Sequence, residues 1–197
     1  MRGSILAAAL SACLVSGTAS AQGWLTGGSA GATKQYDYEV GGPVSKTDDT
    51  DTGFRVFGGY MFLKGLGVVA SYVDLGDAYY DGSAWGGFTD TLGADGWDLS
   101  FLGGFSPGDQ DKWRLFATVG AFTWKQDVAY EDASGFYPYE DSGTSLSYGA
   151  GVEFAFTPVW GLHFSYQRFT NVGDESNSGH EYDRDLVSIG AAYHFGR

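Results

Sequence analysis

One cysteine, four prolines and eleven basic residues are all that this chain of 197 residues holds of those types, and each scarcity closes off a class of protein. A single Cys can neither close an internal disulfide nor supply a cysteine zinc site. Eleven Lys and Arg stand against 24 Asp and Glu, for a net charge of -13. That excess repels phosphate backbones, so no nucleic-acid partner is expected. Beyond the first 21 residues there is no segment of helical period, and no apolar run reaches the roughly 20 residues of a transmembrane helix. What abounds is glycine and aromatic side chains: 32 Gly, 14 Phe, 13 Tyr and 6 Trp. Disordered chains are poor in aromatics. Interior glycines each cost a helix about 1 kcal/mol. An acidic, all-β protein is what remains.

The N-terminus reads as an export signal. Met1-Arg2 supplies a positive charge, Ile5 to Val15 forms a short apolar run, and Ala19-Ser20-Ala21 is a small-residue cleavage site. Cleavage after Ala21 leaves residues 22–197 as the mature domain and discards Cys13. A second reading takes Leu10-Ser11-Ala12-Cys13 as a lipoprotein box, with Cys13 lipidated. Both readings export the chain.

Downstream of the signal the chain alternates with period two, the signature of strands. Val187, Ile189, Ala191, Tyr193 and Phe195 share one face, opposite Ser188, Gly190, Ala192 and His194. Trp160, Leu162, Phe164 and Tyr166 lie opposite Gly161, His163, Ser165 and Gln167. Leu146 to Phe156 and Trp97 to Phe105 repeat the pattern, with Leu102 an exception. One face is bulky and apolar, and the other is small or polar. Small and polar residues suit the cramped lumen of an eight-stranded barrel. The bulky face then needs a nonaqueous exterior, which a transmembrane β-barrel provides. Closure also pairs every backbone group, as hydrocarbon demands.

Eight segments fit this pattern: 24–34, 53–62, 66–75, 96–106, 113–124, 144–156, 160–170 and 185–195. The expected fold is an eight-stranded antiparallel up-and-down transmembrane β-barrel. Three connections are tight. The other four are long, 35–52, 76–95, 125–143 and 171–184, and hold most of the acids. Short turns face the periplasm in such barrels, which puts both termini there. Trp24, Trp97, Trp113, Trp160, Tyr193 and Phe195 fall at strand ends, as an interfacial aromatic girdle requires. Trp113 and Trp124 have opposite parity, so one of them faces inward or a bulge intervenes.

Phe57-Gly58-Gly59-Tyr60, the stretch from Gly149 to Pro158, the run from Tyr166 to Asp174 and the ending Ser188 to Gly196 together resemble the transmembrane domain of the outer membrane protein A (OmpA-like) family. The resemblance covers the mature chain almost end to end. It implies a role in envelope integrity and surface contacts. It also implies recognition by the barrel-assembly machinery through the last strand, which ends at Phe195. Larger members append a peptidoglycan-binding domain; with this sequence ending at Arg197, that activity is not expected. The family's lumen carries a charged gate. Glu153 falls on one of its acid positions and His163 on a basic one, while Val69 and Leu102 occupy the other two. Arg55, inward by parity, is expected to pair with Glu153 instead. Glu153, His163, Arg55, Ser165 and Gln167 form the candidate lumenal network, in which buried charges satisfy one another.

Other motifs carry less. His163-Phe164-Ser165 resembles the His-x-Ser of lipid A deacylases, but parity turns both residues inward, away from lipid, and a nucleophile needs an oriented base. The glycines of Gly65-Leu66-Gly67 have dinucleotide-fingerprint spacing but sit between strands, where a turn explains them. His163, His180 and His194 show no metal-ligand spacing. Neither catalytic residues nor a cofactor are expected. Asp48-Asp49-Thr50-Asp51 and the other loop acids suit a solvated surface, with divalent cations bridging to lipopolysaccharide phosphates as a weaker role. Outer membrane lipids and lipopolysaccharide are the expected partners. A narrow diffusion channel is the alternative function, and a lipid A hydrolase a third.

Overall fold

The computed structural model describes residues 23–36, 46–81, 89–107, 112–132, 135–173 and 181–195. The export signal, Trp85 and His180 lie outside them. The described chain forms β1 (Gly23–Tyr36), β2 (Lys46–Asp48), β3 (Thr50–Leu63), β4 (Leu66–Asp81), β5 (Thr89–Phe105), β6 (Trp113–Asp132), β7 (Gly135–Ala155), β8 (Trp160–Val172) and β9 (Tyr182–His194). Eight of these close an antiparallel barrel in the order β4-β3-β1-β9-β8-β7-β6-β5, and the β4–β5 pairing completes the ring. β2 is a short addition that pairs Lys46 to Asp48 with Asp81 to Tyr79 of β4. The expectation of an unbroken loop over 35–52 is corrected there.

Parity sets the faces as the alternation requires. Leu162, Phe164, Val187 and Ile189 are exposed, Ile189 at 57%, while Ser188 and Glu153 are buried at 3% each. Leu99, Phe101, Val119 and Leu146 extend this outward apolar band around the barrel.

Strand boundaries agree with the sequence pattern to within two residues at the end with the tight turns. At the end with the long connections they do not. β5 begins at Thr89 instead of 96, β6 runs to Asp132 instead of 124, and β7 begins at Gly135 instead of 144. The ladder from Thr123↔Thr144 continues to Asp132↔Gly135, close to the hairpin tip. The cause is a change of solvent. Past the band, Leu92 and Ala94 point inward and are buried, whereas Thr89, Thr91 and Asp95 point outward. Val128 is buried, while Lys125 and Asp127 are exposed. These segments alternate like strands of a water-soluble barrel, with the greasy residues inside. A search for outward apolar residues passes over them.

Candidate functional site

The lumen is layered. Nearest the tight turns, Glu153 on β7 holds two partners. Arg114 Nη2 donates to Glu153 Oε2 at 2.8 Å, and His194 Nε2 lies 3.0 Å from Oε1. Arg114 is the cross-strand partner of Glu153 on β6, so the pair is set by register. Beside it lies an apolar cluster of Leu25, Met61, Val69 and Leu102, from the neighbouring strands β1, β3, β4 and β5, with Phe57 and Phe116 packed on it.

A polar layer comes next. Arg55 donates from Nε to Ser71 Oγ at 2.9 Å and stands 3.9 Å from Asp98 Oδ2. Asp98 also accepts from Ser100 Oγ at 2.7 Å and from Ser147 Oγ. Arg55 therefore does not pair with Glu153. Ser71 is one strand away on β4 and Asp98 two strands away on β5, and both are closer to it around the ring than β7. Buried charge finds its nearest counter-charge. Asp98, Arg114 and His194 are the network members that sequence reasoning misses. Asp98 and His194 have inward parity, and nothing in the pattern singles them out as ion-pair members.

The remaining candidates are also buried. The His163 ring packs edge-on against Phe57, with centroids 5.4 Å apart. Ser165 Oγ shares a 3.0 Å hydrogen bond with Ser188 Oγ, so its partner is a second serine and not His163. Gln167 is buried, with neither amide atom bonded among the described residues. The cavity bounded by Arg55, Phe57, Glu153, His163 and Ser165 measures about 30 Å³, room for about one water.

Towards the long hairpins the lumen becomes apolar again and closes. Val73, Leu75, Leu92, Phe122, Val128, Phe169, Val172 and Leu186 pack from five strands, with Phe122 and Phe169 at 4.5 Å between ring centroids. Trp124 is the inward tryptophan of its strand, buried at 2%, and its Nε1 donates to Ser145 Oγ at 2.7 Å. Through this core runs Arg184. Its guanidinium reaches from β9 to the opposite wall and donates to the carbonyls of Gly76 at 2.9 Å and Leu92 at 2.6 Å, with Leu75 at 3.4 Å. Leu75 and Gly76 lie in a bulge of β4 between Asp74 and Asp77, where Gly76 adopts φ +67°. The sequence pattern ends its last loop at Arg184, whereas the structure puts this residue inside a strand. Beyond the band, burial pushes the Tyr80 hydroxyl up to about 12. Burial also raises Tyr182.

On the outside, Trp24, Trp113 and Trp160 ring the end with the tight turns and Trp97 marks the other edge of the band, all at least 43% exposed. Trp24 packs on Tyr60, Trp113 on Phe154, and Trp160 on Tyr193, which meets Phe195 at 4.7 Å. Among the described residues no three His, Cys, Asp or Glu side chains gather to hold a metal ion.

A closed eight-stranded barrel with a polar lumen is common to several outer membrane proteins, and sequence decides among them. Residues 19–197 match the model of the OmpA-like transmembrane domain. The chain belongs to that family. Outer membrane protein A of Yersinia pseudotuberculosis is 30% identical over 184 residues, and that of Escherichia fergusonii 29% over 176; each alignment takes in 88% of this chain and 49% of the relative. The chain thus spans about half the length of the curated OmpA relatives it matches. Two solved structures share the fold. OprG of Pseudomonas aeruginosa has a TM-score of 0.56 at 16% identity, covering 92% of this chain and 99% of its own. Ail of Yersinia pestis has 0.54 at 19%, covering 88% and 98%. In the lumen of this member Glu153 pairs with Arg114, and Arg55 stands near Asp98.

Proposed function

We propose that the protein is a sealed, non-catalytic barrel of the bacterial outer membrane. Its acidic hairpins face outward and serve envelope integrity and surface contacts. The observation that supports this reading is the apolar closure around Phe122, Phe169 and Leu186, crossed by Arg184. Small-barrel interiors are filled by side chains, and in this layer apolar side chains pack around an Arg184 guanidinium that is itself bonded to backbone carbonyls. In this orientation the tight turns and both termini are periplasmic, the outward aromatics sit at the two interfaces, and outer membrane lipids with lipopolysaccharide surround the band. The strand ending at Phe195 presents Tyr193 and Phe195 outward for the barrel-assembly machinery. The hairpin acids suit divalent cations that bridge to lipopolysaccharide phosphates. The test is single-channel recording of purified protein in planar bilayers. The expected result is a silent membrane; steady openings would establish the narrow-channel reading instead.

A further inference from the structure

The barrel wall has a lateral cleft whose chemistry the sealed-barrel reading leaves unused. β7 and β8 pair from Ala155↔Gly161 up to Ser147↔Phe169 and, among the described residues, no further. Above that point β8 keeps only an irregular pairing with β9. Its register shifts between Phe169 and Val172, and Asn171 adopts φ 53°, a left-handed conformation rare outside glycine. Side chains replace the ladder at the parting. Ser145 Oγ donates to the Asn171 carbonyl at 2.6 Å, and Thr170 Oγ1 to the Leu146 carbonyl at 3.2 Å. The opening is a cleft of about 800 Å³ with the Trp124 indole at its floor. Hydroxyls of Ser142, Thr144 and Thr170 and the Asn171 amide line it, and Glu181 is its one charged side chain among the described residues. Leu146, 52% exposed, is the last residue of the apolar band on β7 and forms the lower lip.

We infer that this cleft binds the neutral sugar portion of an outer-leaflet glycolipid. The inference rests on the outer membrane reading, which places the lip of the band at the headgroup level. Three observations select the ligand. The volume lies in the range of pockets for molecules the size of a mono- or disaccharide. Hydroxyl and amide groups both donate and accept, matching a ring of alcohols. A carboxylate with no base in the lining disfavours phosphate. An added peptide strand fits less well, because Pro138 removes a donor from this end of β7 and the Ser145 and Thr170 bonds already occupy the parting. A left-handed Asn in a cleft is also where strain and function tend to coincide.

The experiment titrates uniformly labelled protein, refolded in detergent micelles, with dephosphorylated core oligosaccharide released from lipopolysaccharide, and follows backbone amide shifts. Saturable shifts confined to Ser142–Leu146 and Thr170–Gly173 are expected. The double variant S142A/N171G should weaken binding at least ten-fold. Glycine accepts the φ of position 171 without strain, so the fold is kept. No saturable shift with the oligosaccharide would overturn the inference, as would equal affinity in the variant. Shifts at these amides with inorganic phosphate or an extended peptide, and not with the sugar, would overturn it as well. The barrel reading is checked separately by heat-modifiable gel migration: a shift on boiling with no sugar binding sinks the cleft alone, and no shift sinks both.

Discussion

The band half and the hairpin half of this barrel are built from the same strands with opposite rules. In the band, Phe164 and Ile189 face out while Ser188 and Glu153 face in. A few residues further along, Phe169 and Leu92 face in while Thr91 and Lys125 face out. Side-chain parity never changes along β5 or β6; what changes is which parity is greasy. The hydrophobic effect acts on the hairpin half as on any soluble protein, where burying a Phe or Leu side chain is worth about 1.5–3 kcal/mol. In the band it confers no such preference for the interior, since lipid is as apolar as a core, and there hydrogen bonds and ion pairs hold the lumen together with the small Leu25, Met61, Val69 and Leu102 cluster. The switch from one rule to the other locates the membrane surface within a single strand.

The largest effect expected from this contrast is in the polar lumen. Glu153→Leu strands Arg114 and His194 without their carboxylate, and breaking a buried pair costs roughly 3–5 kcal/mol. Urea unfolding of the refolded variant in detergent should show that loss, and adding Arg114→Met should recover much of it. If the single variant is as stable as wild type, the lumen of the band half is not held by charge. Next come two phenylalanines on one strand. Phe169→Ala opens a cavity in the hairpin core and should cost about 3 kcal/mol. Phe164→Ala, facing lipid, should cost clearly less in the same assay; equal losses would erase the distinction between the halves. A charge sharpens it from outside. Ile189→Lys in the band is expected to destabilise by about 2–3 kcal/mol, with the depth dependence known for barrels. Thr91→Lys, outward but beyond the band, should change stability by less than about 0.5 kcal/mol.

The smallest effect is a pH dependence confined to the hairpin half. A tyrosine ionises near pH 10 in the unfolded chain, whereas burial holds Tyr80 up to about 12. Between those values the unfolded state has released a proton that the folded state keeps, so stability falls as pH rises. The contribution is fully present below pH 10 and gone above the folded value. Amide exchange in the β4–β5 hairpin should accelerate over that window, and Tyr80→Phe should flatten the response.

The barrel, its strand number and the inward or outward sense of each face are legible in the sequence because the band obeys one rule over eight segments. The upper halves of β5, β6 and β7 are not, because Leu92, Ala94 and Val128 obey the soluble rule and look like interruptions when the membrane rule is applied. Ion-pair partners are legible only as a set. Parity places Glu153, Arg55 and Asp98 in the lumen, but which acid meets which base depends on register and on the tilt of strands around the ring. The bulge at Gly76 and the hydrogen-bonding reach of Arg184 carry no period at all, so pattern reading has no purchase on them.

Arg184 also imposes an order on how the molecule comes into being. Its guanidinium belongs to the last strand of the barrel, yet the carbonyls it satisfies belong to β4 and β5, which precede it in the chain with four and three strands between. Until that final strand arrives and the ring shuts, the bulge at Gly76 holds oxygens with no donor. The cap above the membrane therefore sets as closure completes, and a barrel caught half-zipped would be soft at its outward face first.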